Sequence, residues 1–467
     1  MVGGGYCREC LEKQREIDRL KEENVRLRAR LRYQVRITRE EGPFGSSTPS
    51  SKIPLKANTA LSLEDRQARR GGAKPGHVGH GRRTAKASEA DEVVTLEAAE
   101  RLCPHCGIAL KERACVPRTV IEIPPPHTRT ILYRLGVRRC PRCRRHFRAR
   151  PPAGVLPRAL LGNQLLAHLP VQHYLFGVPL GRLEAQTSIG YGTLIGALHR
   201  LAQLFAAVPD RLVLEYRAAP VKHADETGWR TDGQNGYAWL FATATLSIFR
   251  FRSTRAAAVV HDVFGSAPLP GVLGVDRYVG YHKAPVALQY CYAHLLREVK
   301  DCGREFEDNA EVQRFVDTFA PLLASAIVLR RIATSAAEFR RQATALKQQI
   351  LEAVQTPAQH PAIHRLQAIF RDHPERLYHW AADRSVPADN NLAERELRPL
   401  VIARKVSFGS QSAAGTRTRE ILMTTLVTLR RRHPGDYAER FKVALDRLAL
   451  TPAADPYDLL FHNHSPP

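Results

Sequence analysis

The sequence predicts a multi-domain α+β protein, and three observations predict it. Residues 11–40 carry a heptad pattern free of Gly and Pro, two Cys-Pro-x-Cys pairs stand between 91 and 150, and strand patterns from about 218 give way to a long helical stretch. A change of period marks a change of element type, and 467 residues suffice for more than one core.

In LEKQREIDRLKEENVRLRARLRYQVRITRE, apolar residues recur at Ile17, Leu20, Leu27 and Leu31, with Asn24 in the remaining seam position. This 3,4 spacing predicts a coiled coil over 1–42, and a buried Asn favours one register and one partner number. The expectation is a parallel homodimer or a higher oligomer; a single solvated amphipathic helix is the alternative. Cys7 and Cys10 precede it, either as half of a shared metal site or as two reduced thiols.

Residues 43–90 turn to Ser, Pro, Gly and basic residues, including GAKPGHVGHGRR, and predict a flexible cationic linker whose Arg82 and Arg83 contact phosphate. The whole chain has 70 Lys and Arg against 46 Asp and Glu, a formal charge of +24. Such a surplus repels itself until a polyanion neutralises it, which favours DNA as partner. No apolar run in the sequence stands out as a spanning helix, so no membrane partner is expected. The start, MVGGGYCREC, does not read as a signal peptide, and the nine cysteines of the chain, odd in number with four in two close pairs, suit metal-bound thiolates in a reducing cytoplasm.

Residues 91–150 predict a zinc ribbon. Cys103 and Cys106 form one knuckle, Cys140 and Cys143 the other, and the strand-like segment between them joins the two. Four thiolates close a tetrahedral, structural Zn²⁺ site. Six arginines around the second knuckle add a phosphate-contacting surface. Residues 151–217 read as helical with a break at SIGYG; a helix-turn-helix reader and a plain helical connector both fit.

From 218 to 410 the expectation is an α/β domain. AAPVKHADETGWR, GYAWLFATAT and SIFRFR read as three strands, TRAAAVVHDVFG as a helix, and GVLGVDRYVGYHK as a further strand. Three strands, a helix and a strand open an RNase H-like fold, with a helical insertion over about 290–382 and a C-terminal helical region over 411–467. Asp225 ends VKHAD and Asp276 ends GVLGVD, so each reads as a carboxylate at the exit of a buried strand. Hard carboxylate oxygens at such positions suit two divalent ions that stabilise the attacking and leaving oxygens of a phosphodiester. A third carboxylate must come from elsewhere. On a helix beginning near Asp389, its N-cap, Asn390, Asn391 and Glu394 share one face while Glu396 points away. Cys291 and His294 either support the site or pack a helix, and Trp229, Trp239 and Tyr237 read as sheet-packing aromatics.

HADETGWR, GYAWLFATAT, GVDRYVGY, CYAH, ADNNLAERELRP and ARKVSFGS, taken in order, resemble the successive blocks of the IS66 family of insertion-sequence transposases. The paired knuckles, the basic linker and the coiled coil resemble that family's N-terminal region. The resemblance implies a DDE triad of Asp225, Asp276 and Glu394 holding two Mg²⁺ (or Mn²⁺) ions, DNA cleavage and strand transfer at the element's ends, and a bacterial, nucleoid-associated place in the cytoplasm. Element ends and target DNA are the implied partners, alongside accessory proteins that the same element encodes. Arg395, Arg398, Arg404 and Lys405, downstream of the triad glutamate, are candidate phosphate contacts. The family more often reads Arg-Lys-Asn-Trp where this chain has Arg404-Lys405-Val406-Ser407. A nuclease that cuts without joining and a non-catalytic DNA-binding repressor are the rival readings.

Overall fold

The computed structural model describes residues 152–332 and 335–462 throughout, with scattered residues of 13–27, 86–93, 106–109, 128–143 and 146–148. The chain divides into two compact units, one of 1–52 with 130–467 and the other of 53–129. In the second, the described residues include a short 3₁₀ turn, Ala87–Glu89. The described residues between Lys13 and Leu27 are helical, and Ile17, Leu20 and Leu27 are exposed. Arg82, Arg83, Cys103 and Cys140 lie outside the described residues.

Strands β1 (Val137–Arg139) and β2 (His146–Arg148) pair antiparallel and flank the second cysteine knuckle. Residues 128–136, read as strand-like from sequence, form no strand. Cys106 and Cys143 are exposed.

The helical module is more broken than its sequence pattern suggests. Helix α1 (Asn163–Pro170) runs into a π turn, Val171–Leu175, and ends before Gly177, whose φ of 70° favours glycine. Pro179 then precedes α2 (Leu180–Thr187). The turn Ser188–Gly190 leads into α3 (Tyr191–Leu204), followed by α4 (Val208–Ala218). A single 3.6-residue pattern therefore spans α1 and α2, because both bury leucines on the same core while Gly and Pro re-aim the backbone between them.

Five strands form the central sheet: β3 (Val221–Thr231), β4 (Gln234–Ala242), β5 (Ser247–Arg252), β6 (Val272–Val275) and β7 (Ala287–Tyr290), in the order β5-β4-β3-β6-β7. The first three are antiparallel, whereas β6 and β7 add parallel to β3. Asp232 and Gly233 turn β3 into β4 with φ values of 51° and 71°, as a tight Asp-Gly hairpin requires. Helix α5 (Ala257–Phe264) makes the crossover from β5 to β6. The fifth strand, β7, falls in a stretch that reads as helical; ALQY is too short for its period to distinguish strand from helix.

Both faces of the sheet are covered. On one, Trp239 and Phe241 lie parallel to each other and meet Tyr216 of α4, Phe264 of α5 and Tyr281 edge-on. The other is covered by α11 (Asn391–Ser407) against β3 and β4, while α12 (Ala413–Arg432) lines the open edge of β5, where Thr428, Thr424 and Glu420 accept the Ser247, Phe249 and Phe251 N–H groups. Between β7 and α11 lies the helical insertion: α6 (Tyr292–Glu305), α7 (Ala310–Ile332), α8 (Ala336–Gln355), α9 (Pro361–Asp372) and the short α10 (His379–Ala382). Helices α13 (Tyr437–Leu450) and α14 (Pro456–Phe461) close the chain's described part. By length and composition the 23-residue α7, in which an 18-residue stretch has a mean hydropathy of 1.4, passes for a membrane-crossing helix, contrary to the sequence expectation. It packs against α6 and α8 and buries Val312, Phe319 and Leu323 on the side that faces them.

Gly271 sets the register of β6. Its φ is +83°, and a Cβ there would lie 2.1 Å from the Pro220 carbonyl oxygen, which also accepts the Val272 N–H. Gly271→Ala should therefore destabilise the domain by about 1–3 kcal/mol, the usual range for a strained backbone position. A thermal midpoint equal to that of the parent protein would contradict this.

Candidate active site

Register brings the two aspartates together. β3 and β6 pair in parallel with His223 opposite Gly274, so continuing the register by two residues places Asp225 beside Asp276. Asp276 directly follows β6, as expected, and its Oδ1 accepts the Tyr278 N–H at 2.9 Å, which fixes the turn. Asp225 departs from expectation. It sits inside an eleven-residue strand and not at its exit, because pairing with β4 carries β3 onward to Thr231 after β6 has ended. Its carboxylate instead stands where the parallel half of the sheet stops.

Glu394 arrives on the first turn of α11, and Asn390 places that turn. The Asn390 side chain donates to the Ala224 carbonyl and accepts from His223 Nδ1, both at 2.8 Å, and its backbone N–H meets Cys291 Sγ at 3.1 Å. The helix starts at Asn391 with Asn390, not the expected Asp389, as its N-cap; Asp389 stands one residue earlier, where its Oδ1 accepts the Asn391 N–H at 3.1 Å. Gly274 makes room for the His223 ring, since a Cβ would lie 3.2 Å from Nδ1. Burial pushes the His223 pKa down, against the opposing pull of its hydrogen bond to Asn390 and of the Asp389 charge.

The carboxylates feel one another. Burial, then the charges of Glu226 and Asp276 and more weakly Glu394, hold Asp225 well above the usual carboxylate range. Burial and Asp276 likewise push Glu226 up to about 7, against the pull of Arg255. Sequence reasoning missed Glu226. Strand alternation turns it to the opposite face from Asp225, where Arg255 Nε donates to it at 2.7 Å and the Tyr281 hydroxyl also donates. Its neighbour Asp225 drew all attention; the signal available was a second acid in the same buried strand. Arg255 also lies 3.9 Å over the Tyr278 ring, tying this network to the Asp276 turn.

Cys291 and His294 do more than pack. Cys291 precedes α6, its backbone N–H bonded to the Val275 carbonyl beside Asp276. His294 Nε2 lies 3.7 Å from Glu394 Oε1. Burial alone would lower the His294 pKa, but Cys291, Asp276 and Glu394 outweigh it and raise it to about 10. Among the described residues, buried Glu394 Oε1 and His294 Nδ1 have no hydrogen-bond partner. A crowded, buried set of oxygen donors with an unsatisfied carboxylate oxygen suits divalent cations, which relieve the mutual repulsion.

Glu396 faces elsewhere, 3.4 Å from the Ser247 hydroxyl on β5. Arg395, Arg398 and Lys405 are exposed on α11, whereas Arg404 turns inward and donates to the Thr227 hydroxyl at 3.0 Å and the Gly228 carbonyl. Arg419, further downstream, is buried over the Trp229 and Tyr174 rings.

A strongly basic chain that gathers carboxylates on a mixed sheet fits the class of enzymes that process nucleic acids. The sequence model of the transposase IS66 family matches residues 158–418, more than half of the chain. The chain belongs to the IS66 transposase family, and with it to the proteins that carry out DNA transposition. It is also similar to two uncharacterized proteins of Sinorhizobium fredii. One, y4jD, is 23% identical over 71% of this chain and 72% of its own length. The other, y4qI, is 25% identical over 66% of this chain and 64% of its own length.

Proposed function

We propose that this transposase binds the ends of its insertion sequence and catalyses DNA cleavage and strand transfer on an RNase H-like domain, with Asp225, Asp276 and Glu394 as ligands of two divalent ions. The observation that carries this reading is the shared register of Asp225 and Asp276 at the end of β6, with Glu394 delivered to the same place by Asn390. The strand order and the crossover helix support the fold, and the matched family supports the DNA substrate. Bound there, Mg²⁺ supplies Lewis acidity and aligns attacking and leaving oxygens. The chain's own part is to hold the three carboxylates in a buried place and to keep Glu394 oriented through Asn390, His223 and Cys291. Exposed Arg395, Arg398 and Lys405 are placed to meet phosphates along α11. The decisive experiment incubates the protein with Mg²⁺ and DNA carrying the element's terminal repeats. Joined 3′ ends are expected; nicks without joining would favour a nuclease, and metal-independent binding without cleavage a repressor.

The N-terminal regions serve assembly and end binding in this reading. Exposed Ile17, Leu20 and Leu27 on a helix support a homodimeric coiled coil, and the hairpin around the second knuckle supports a ribbon in which Cys103, Cys106, Cys140 and Cys143 hold Zn²⁺. Protein and DNA meet in the bacterial cytoplasm. Cys140→Ser should lower the zinc content by about one ion per chain and abolish end-specific binding, because so small a unit depends on its metal for folding. Unchanged zinc and unchanged end binding would remove the ribbon from the reading.

A further inference from the structure

Beside the three acids stands a donor set of a different kind. The Cys291 thiol, a His294 ring nitrogen and a Glu394 oxygen all lie within 4.8 Å of one another. Cys291 and His294 are three residues apart at the start of α6, which turns both side chains to one side. The Asn390 N–H points at Sγ and would fix a bound thiolate from behind. His294 Nδ1 and Glu394 Oε1 are buried without hydrogen-bond partners, while the imidazole remains about one-fifth exposed, leaving a path from solvent.

We infer that Cys291, His294 and Glu394 form a soft-metal site that captures Zn²⁺ and, by drawing Glu394 out of the carboxylate set, holds the transposase inactive. Mg²⁺ demands hard oxygens in an octahedron, whereas Zn²⁺ accepts sulfur, nitrogen and oxygen in a tetrahedron with one position open. Tetrahedral zinc spaces its ligand atoms by roughly 3.3–3.8 Å, so side-chain rotations that close the cluster by about 1 Å complete the site. Binding releases two protons to solvent, one from the Cys291 thiol and one from the His294 imidazolium, since both ligands must be deprotonated. The inhibitory part rests on the reading of Glu394 as a catalytic ligand; the binding part does not.

Co²⁺ makes the site visible, because a cysteinate ligand gives a sulfur-to-cobalt transition. The full chain, its zinc retained, is titrated with Co²⁺ beside Cys291→Ser and His294→Gln. The parent should take up about one cobalt with this band. Cys291→Ser should lose the band and bind more than about 100-fold more weakly, beyond the 10–100-fold that losing a mere supporting partner costs. His294→Gln should bind more weakly yet keep the band at saturation, which separates a lost ligand from a lost fold. In strand transfer with Mg²⁺, the Zn²⁺ needed for half-inhibition, read relative to each protein's own zinc-free rate, should be at least tenfold higher for Cys291→Ser than for the parent. An unchanged cobalt spectrum in Cys291→Ser overturns the site, and an unchanged zinc response overturns its inhibitory role. Because the band is read without DNA or turnover, failure of the carboxylate reading leaves it intact, and the two can be told apart.

Discussion

Asp225→Asn, Asp276→Asn and Glu394→Gln should each reduce strand transfer by roughly 10⁴-fold or more while the protein still folds and still binds DNA ends. The amide preserves the shape but withdraws the charge that holds a divalent ion, so the loss falls on chemistry. Because the three groups act as a unit, a double substitution should be little worse than a single one. Folding should even improve slightly for Asp225→Asn in metal-free buffer, since burial and its acidic neighbours disfavour the ionised carboxylate. Glu396→Gln is the control: it lies two residues from Glu394 on the same helix, yet meets Ser247 of β5. Added Mg²⁺ should raise the thermal midpoint of the parent and of Glu396→Gln, but not that of the triad variants, because only a bound ligand shifts the unfolding equilibrium. Strand transfer surviving in all three triad variants would end the two-metal reading, and a dead Glu396→Gln beside an active Glu394→Gln would move the site along the helix.

The aspartates stood out as candidates because each ends a short strand-like segment, VKHAD or GVLGVD, a local pattern that needs no knowledge of what lies across the sheet but that misplaces Asp225 at a strand exit. The network around them was not legible. His223, Asn390 and Cys291 are brought together by pairing across 167 residues of chain and across the helical insertion, and nothing in their spacing foretells it. Arg404 and Arg419 show the same limit from the other side. Arg404 reads as a phosphate contact in the sequence yet is turned inward onto β3, and Arg419 beyond it is turned inward over Trp229. A side chain's charge announces what it prefers to meet, but helix phase against the sheet decides what it does meet. The same phase leaves Arg395, Arg398 and Lys405 outside. β7 escaped notice for a simpler reason: four residues are too few for a period to show.

Glu420→Ala should cost about 3–5 kcal/mol of stability, the penalty for leaving a buried charge without its partner. Glu420 lies on α12 with its side chain only 3% exposed, and its oxygens take Arg250 and Arg252 of β5 at 3.1 Å each. The Phe251 N–H adds a third contact at 3.0 Å and Arg417 a fourth from the preceding turn. One carboxylate thus joins an outer strand to the helix that lines its edge. Removing it leaves the Arg250 guanidinium, 8% exposed, with Asp210, which is largely in solvent and offsets little. Arg250→Met combined with Glu420→Leu should recover much of the loss, because no uncompensated charge then remains in the core. Equilibrium unfolding in urea measures both. A single Glu420→Ala variant within about 1 kcal/mol of the parent, a size typical of exposed ion pairs, would mean that the network is a solvated surface contact and that apolar packing alone holds α12 on the sheet. Because α12 contributes no residue to the carboxylate cluster, strand transfer measured well below the melting temperature should be retained in Glu420→Ala, which separates the support of the fold from the chemistry it carries.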